Sequence, residues 1–478
     1  MSVMLAFLGC LALFTAIGVL SARKAQATSE DYLVAGRGVS AWLTALSSAA
    51  TNNSGFMFIG LFAFTYRYGV QAVWLQLGWI LGDVAAWLWI HRKVRERSAA
   101  IGAVSIPALL ASDTRGPPSR AVAVVAGLLT LLFLGGYAAA QLKAGATALH
   151  GVFGWDPALG SAIGASIVVV YCFSGGLRAS IWTDAAQALV MLGALLVLLV
   201  YAVVTVGGPA SLATALEAAD PALVQWVPDG LGLGLGLYLL GYVFGGFGAI
   251  GQPHILVRSM AIRSAKDIGR ARTIYFLWYI PFSIAAVSVA LYARVLLPEL
   301  LSGVAPEAAG AAAEGALPAV ATLLLPEVAL GLLLAGIFAA TMSTADSQIL
   351  ACSAAITQDI APRVGRSYWA GKLATLAVAA LALVIAWFAG QDVFSLVLGA
   401  WSALGAAFGP LLVLRLYRFP VPAPLALAMM ASGLVTVFAW TSAGLSDDAF
   451  ELLPGMLVPI ALYGLARIAT GATARVNP

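Results

Sequence analysis

Runs of roughly twenty apolar residues recur along the whole chain, near residues 3–22, 41–66, 71–91, 121–149, 157–176, 181–206, 230–255, 273–297, 325–357, 368–390, 393–414, 420–442 and 452–471. A helix of that length crosses the hydrocarbon of a bilayer, about 30 Å thick. The strands of a membrane barrel would alternate apolar and polar residues over segments of about ten, and no such alternation is visible. The pattern predicts an all-α membrane protein with thirteen transmembrane helices.

Two of these runs are not plain helices. The second contains Ser47-Ser48-Ala49-Ala50-Thr51-Asn52-Asn53-Ser54-Gly55, and the seventh contains Gly245-Gly246-Phe247-Gly248-Ala249-Ile250-Gly251-Gln252-Pro253. Glycine costs a helix interior about 1 kcal/mol and proline about 3 kcal/mol. Irregular backbone survives at membrane depth only where it faces protein or a wet cavity. The two breaks lie five spans apart, each opening a block of five. Paired interruptions of this kind point to an inverted-repeat transporter with its site at the midplane. Small residues that merely let helices approach closely are the alternative.

Composition and charge set the orientation. Of the 478 residues 62% are hydrophobic and 10% charged, with a mean hydropathy of +0.96, whereas soluble domains carry about a quarter charged residues. With the N-terminus outside, the inside loops collect 22 of the 25 Lys and Arg, including Arg23, Lys24, Arg37, Arg92 to Arg97, Arg115, Arg178, Arg258, Arg263 to Arg272 and Arg475. Arg67 and Arg294 fall outside, and Lys143 falls within a span. This is the positive-inside bias of a multi-pass protein of the cytoplasmic (inner) membrane, with the C-terminus inside. The loops near 207–229, 298–320 and 444–451 are acidic and outside. Basic residues dispersed over short loops form no nucleic-acid footprint, so no nucleic-acid partner is expected. Residues 1–22 lack a basic segment before the apolar run and read as a first span rather than a signal peptide.

Other chemistry is sparse. Cys10, Cys172 and Cys352 have no partners at metal-ligand or disulfide spacing and read as small buried hydrophobes. His91, His150 and His254 stand singly near span ends, and no nucleophile triad appears. A membrane enzyme is not expected, and no soluble signalling domain follows the last span, which argues against a transporter-like sensor. The ninth span is richer, with Ala339-Ala340-Thr341-Met342-Ser343-Thr344-Ala345-Asp346-Ser347-Gln348. Ser343 and Ser347 share a helix face, with Thr344 beside them. Hydroxyls together with carbonyls released by a broken helix are hard oxygen ligands for a Group I cation; hydroxyls bonding back to their own helix are the alternative. A mid-span carboxylate such as Asp346 is expensive and usually functional. Asp184, Asp83 and Lys143 are also intramembrane: Asp83 with Lys143 makes either an ion pair or a ligand site, and Asp184 is either simply hydrated near the interface or, with Asp346, a candidate second cation or proton site.

These residues resemble the sodium:solute symporters, nearest the proline and pantothenate permease branch. The resemblance covers about residues 1–440: Asp31-Tyr32 through Gly36-Arg37, the Ala50–Gly55 break, Phe173-Ser174-Gly175-Gly176-Leu177-Arg178 followed by Trp182-Thr183-Asp184, then Gly251-Gln252-Pro253-His254, Met342-Ser343-Thr344 through Gln348, and Ser353 to Asp359. It implies a LeuT-type 5+5 core of spans 2–11. The chain then divides into 1–40 (first span and cytoplasmic loop), 41–206 and 207–414 (the two repeats), and 415–478 (two peripheral spans). It implies a sodium site made by the carbonyls of Ala50, Asn53 and Ala340 and the hydroxyls of Ser343 and Thr344. Asp184, Asp346 and Ser347 match a further cation site, with Asp346 where some members carry serine.

The solute-side candidates are Asn52, Ser54, Tyr137, Gly245, Ala249 and Gln252, together with Lys143, which stands where the similar permeases are apolar. Gly245 and Ala249 stand where proline permeases carry large aromatics. A wider pocket with a lysine nearby favours a larger or anionic solute, such as a carboxylate, over proline itself. Arg37 is either an inner gate or a solvated loop charge. The expected function is sodium-coupled symport of a small organic solute, an amino acid such as proline or a carboxylate. The alternative is a proton-coupled or sodium-independent carrier using Asp184, Asp346 and Lys143. The expected partners are that solute and membrane lipid, and the oligomeric state is open, a monomer being compatible.

Overall fold

The computed structural model describes residues 1–113, 116–305, 308–388 and 393–469. The expected inside residues Arg115 and Arg475 lie outside the described residues. Among the described residues the chain is helical, with no strand beyond a single bridge pairing Val39 with Ile262. Eleven helices among the described residues are long and apolar enough to cross a membrane. The helices that matter here are α1 (Ser2–Ser21), α2 (Ala41–Asn52), α3 (Leu61–Tyr68), α4 (Ala72–Trp89), α5 (Arg120–Phe153), α6 (Pro157–Val206), α7 (Gly234–Phe247), α8 (Pro253–Ala261), α9 (Ile268–Leu296), α10 (Glu327–Ala354), α11 (Tyr368–Phe388), α12 (Val393–Leu416), α13 (Ala423–Ser442) and α14 (Leu452–Ala469).

Several runs are interrupted where their chemistry demands it. α2 ends at Asn52, and a π-helical turn, Phe56–Gly60, leads into α3. α7 gives way to a 3-10 turn, Gly248–Gly251, before Pro253 starts α8, the one helix position where its missing N–H costs nothing. α6, 50 residues long, folds over at Gly176, whose φ of 55° and ψ of −142° no L side chain adopts easily. A Cβ there would also run into the Tyr32 backbone. Two residues on, Arg178 pairs with Asp31 and donates to Ala35 O at 3.0 Å. The Phe173–Arg178 motif is thus a corner, with its glycine at the bend and its arginine as the tie.

α10 and α12 are the most enclosed of the long helices. α10 packs against α1, α5 and α6, while α7 lies along α4, and α12 runs past the Gly248–Gly251 turn. Almost every side chain of α10 from Leu333 to Leu350 is buried, serines, threonines and Asp346 included. Polar groups in such a place need partners, and the partners come from the broken ends of α2 and α8.

One charge assignment is corrected. Arg258, expected in an inside loop, sits on α8 and is fully buried among α2, α6 and α10. The charge alternation counted it with Arg263 to Arg272, but Arg258 lies five residues before that cluster and within the helix that follows the break.

Candidate cation and solute site

At the α2 break the chain releases carbonyls. Asn53 closes the helix by donating both its backbone N–H and its side-chain Nδ2 to Ala49 O, at 3.1 and 2.9 Å. Ser54 then takes a φ of 20°. The Gly55 N–H, which in a continuous helix would return to Thr51 O, donates instead to Gln141 Oε1 at 2.9 Å. The carbonyls of Ala50 and Thr51 therefore need other partners, and α10 supplies them. Ser343 Oγ donates to Ala50 O at 3.2 Å and Ala340 O at 3.1 Å. Thr344 Oγ1 donates to Thr51 O at 2.9 Å and Ala340 O at 3.1 Å. Three carbonyls and two hydroxyls thus converge, all buried. Five neutral hard oxygens suit a monovalent cation such as sodium and offer nothing to a soft metal.

The structure brings Ala50, Ala340, Ser343 and Thr344 together as expected and adds the Thr51 carbonyl. Asn53 contributes differently: its side chain terminates α2, and neither hydroxyl donates to its carbonyl.

One helical turn along α10 lies a second cluster. Asp184 Oδ2 accepts from Ser47 Oγ at 2.6 Å and from Arg258 Nη2 at 3.0 Å. Arg258 Nε also donates to Ser47 Oγ at 3.0 Å, and its Nη2 to Ser347 Oγ. Asp346 Oδ1 accepts from Ser180 Oγ at 2.9 Å and Ser347 Oγ at 2.7 Å. Ser347 Oγ reaches Ser343 O at 2.6 Å, so the two clusters share a residue pair. Asp184, Arg258 and Asp346 are fully buried, and Asp184 Oδ1 and Asp346 Oδ2 have no hydrogen-bond partner. Asp184, Asp346 and Ser347 thus lie in one hydrogen-bonded cluster, with the Arg258 guanidinium among them.

The solute-side candidates divide. Ser54 Oγ lies 3.4 Å from Tyr137 OH, and the Tyr137 ring stands edge-on to His254 at 5.7 Å. Gln252 Nε2 donates to Trp401 O at 3.0 Å. Asn52 turns away from this group: Nδ2 donates to Tyr275 OH at 2.6 Å and Asp83 Oδ2 at 3.3 Å, and Tyr275 OH donates to the same carboxylate oxygen at 2.6 Å. Asp83 therefore takes its donors from α2 and α9, not from Lys143. Lys143 is half-buried and sits about 200° around α5 from Gln141, on a different face from Tyr137 and Gln141.

The room expected at Gly245 is taken by indole rings. Trp79 of α4 stacks between Phe56 and Trp401, with centroids 5.4 and 5.3 Å away and interplanar angles of 12° and 14°. Trp401 Nε1 donates to Gly245 O at 2.8 Å, and a Cβ at Gly245 would meet Trp79 Nε1 at 2.6 Å. Aromatic bulk reaches the break from α4 and α12 instead of from α7 itself.

Arg37 is not a solvated charge, its side chain being 12% exposed. It donates to Ala103 O at 2.7 Å and, more weakly, to Met260 O at 3.4 Å and Ser98 Oγ at 3.3 Å. Beside it Val39 N–H donates to Ala261 O at 3.1 Å and Arg263 N–H to Val39 O at 2.8 Å. The segment entering α2 and the segment leaving α8 are thereby tied.

The sequence profile of the Sodium:solute symporter family matches residues 32–433. The chain belongs to the sodium:solute symporter family. This symporter is 30% identical over 459 residues to the high-affinity proline transporter PutP of Bacillus subtilis (strain 168), covering 94% of this chain and 95% of that protein. It is 32% identical over 441 residues to the sodium/proline symporter of Salmonella typhimurium (strain LT2), covering 90% and 85%. Its fold is that of a Na+-coupled sialic acid symporter solved in a substrate-bound outward-open state, with a TM-score of 0.83 at 20% identity over 100% of this chain and 99% of that one. The chain is therefore a multi-pass membrane transporter with sodium as its coupling ion, and not an enzyme.

Three residues of this candidate site escaped sequence reasoning. Gln141 is a fully buried amide in an otherwise apolar stretch of α5, a signal in plain view. Thr51 enters through its backbone, which side-chain chemistry does not report. Arg258 was masked by the charge count.

Proposed function

We propose that this symporter couples inward sodium movement to uptake of a compact organic solute, an amino acid of proline's size or a small carboxylate, by alternating access. The observation that carries this reading is the bridge of Ser343 and Thr344 on α10 to the Ala50 and Thr51 carbonyls at the α2 break. Sodium at that bridge would hold the broken helix against α10, and solute would bind beside the break, near Ser54, Tyr137, Ala249 and Gln252. The similarity to proline transporters supports an amino acid. The indole packing against Gly245 favours a small solute over a large one, in contrast to the pocket that glycine and alanine alone suggest.

The topology we assign is thirteen crossings of a bacterial-type inner membrane, N-terminus outside and C-terminus inside, around a LeuT-type core of spans 2–11. Breaks five spans apart, and the Val39–Ile262 bridge that ties the two broken spans, support it. Arg37 closes the inner side. One charge moving down 100 mV releases about 2.3 kcal/mol, so one sodium drives appreciable accumulation before its own gradient is counted.

Asp184, Asp346 and Ser347 form the second cation site in this reading. Arg258 balances one of the two carboxylates and leaves one negative charge, which one sodium or one proton would neutralise. Proton coupling is the second reading, favoured by the unpartnered Asp184 Oδ1 and Asp346 Oδ2. Solute uptake into proteoliposomes separates the two: with potassium replacing sodium, the sodium reading expects uptake to collapse. Undiminished uptake driven by a pH gradient would favour protons.

A further inference from the structure

Where α13 joins α14, a cavity of about 360 Å³ opens above the aromatic stack. Its walls include Trp79, Tyr242, Phe438 and Phe450, and its acidic groups are Asp447 and Glu451. Glu451 is only 7% exposed, and Ser402 Oγ donates to its Oε1 at 2.7 Å. Among the described residues no Lys, Arg or His forms an ion pair with either carboxylate. A nearly buried carboxylate without a cation is costly. Aromatic faces beside such carboxylates are the surroundings in which an organic ammonium is stabilised, by cation–π attraction and by charge. The floor adds the Trp79 indole, 7% exposed, to the aromatic lining.

We infer that this cavity is a binding site for a solute carrying an ammonium group, distinct from the site at the helix breaks. Its volume falls in the range of small-molecule pockets, about 300–1,000 Å³. The ammonium sits between the aromatic rings and the Asp447 and Glu451 carboxylates. Trp79 is the element the two sites share, since the same ring lines the cavity and stacks on Phe56 and Trp401. An occupant of the cavity therefore bears on the ring that covers the α2 and α7 breaks.

Radiolabelled choline binding to the purified full-length protein in sodium-free potassium buffer tests this, because neither sodium coupling nor transport enters the measurement. The expected result is saturable binding, weakened at least tenfold by Glu451→Gln or Asp447→Asn and unchanged by Ser343→Ala with Thr344→Ala. Gln keeps an acceptor for Ser402, and Asp447 is exposed, so at least the second variant retains the fold. Sodium-dependent thermal stabilisation checks the fold of each. No saturable binding by the unmodified protein, or binding of full strength in both carboxylate variants, overturns the inference and leaves the sodium reading intact.

Discussion

Arg258 donates to Asp184 at 3.0 Å with both side chains fully buried, so α8, which follows one break, is locked by charge to α6. Serines of α2, α6 and α10 complete the lock. Desolvating two ions is expensive, and removing only one partner leaves a stranded charge, at a cost of about 3–5 kcal/mol. Arg258→Met is therefore expected to lower thermal stability by that order, and Asp184→Asn to lower it by less, because Asp346 of the same cluster still faces Arg258. The double variant should be less damaged than the sum, because neither member of the pair is then left facing a missing partner. A double-mutant cycle on melting in detergent checks this, and additive losses would count against the pair.

Gln141 keeps the α2 helix from closing over Thr51. Gln141→Leu returns the Gly55 N–H to the chain, where it competes for the carbonyl that Thr344 now contacts. The half-saturating sodium concentration for solute uptake should rise roughly tenfold, equivalent to about 1.4 kcal/mol of lost sodium binding. A sodium titration of initial uptake rates measures it.

Gly245 leaves no room for a side chain beside Trp79. Gly245→Ala should abolish most uptake while sodium still stabilises the protein against heat, since the cation oxygens lie elsewhere. Trp79→Ala in the same background should restore part of the uptake by removing the ring the new methyl meets. Failure of that rescue would place the damage elsewhere than in the indole contact.

Arg37 ties the entry to α2 to the exit from α8 near the Val39–Ala261 hydrogen bond. Arg37→Ala should speed amide hydrogen exchange at residues 36–40 and 258–263 while leaving α10 protected. Mass spectrometry after brief deuteration reads both segments together, and exchange unchanged at 36–40 would argue against a tie.

The fold was legible because hydrophobic runs and helix breakers act locally. The all-helical membrane character and the two breaks follow from residues that cannot do otherwise in lipid. Ser343 and Thr344 stood out for the same reason, as hydroxyls on a span with no water to satisfy them, and both meet carbonyls of α2 and α10. Arg258 was not, because a charge count treats every arginine beyond a run as solvated, and only tertiary packing shows that serines and Asp184 receive it. The indole-filled space at Gly245 was invisible too. A glycine in one helix announces room, but what fills that room comes from α4 and α12, far away in sequence.

The most direct test is thermal stabilisation by sodium, measured on the purified protein and on Ser343→Ala with Thr344→Ala, using potassium at equal ionic strength as the control. Sodium should raise the melting temperature of the unmodified protein in a saturable way, and the double variant should lose that response while melting cooperatively. An undiminished sodium response in the double variant would contradict the placement of the coupling ion between α2 and α10.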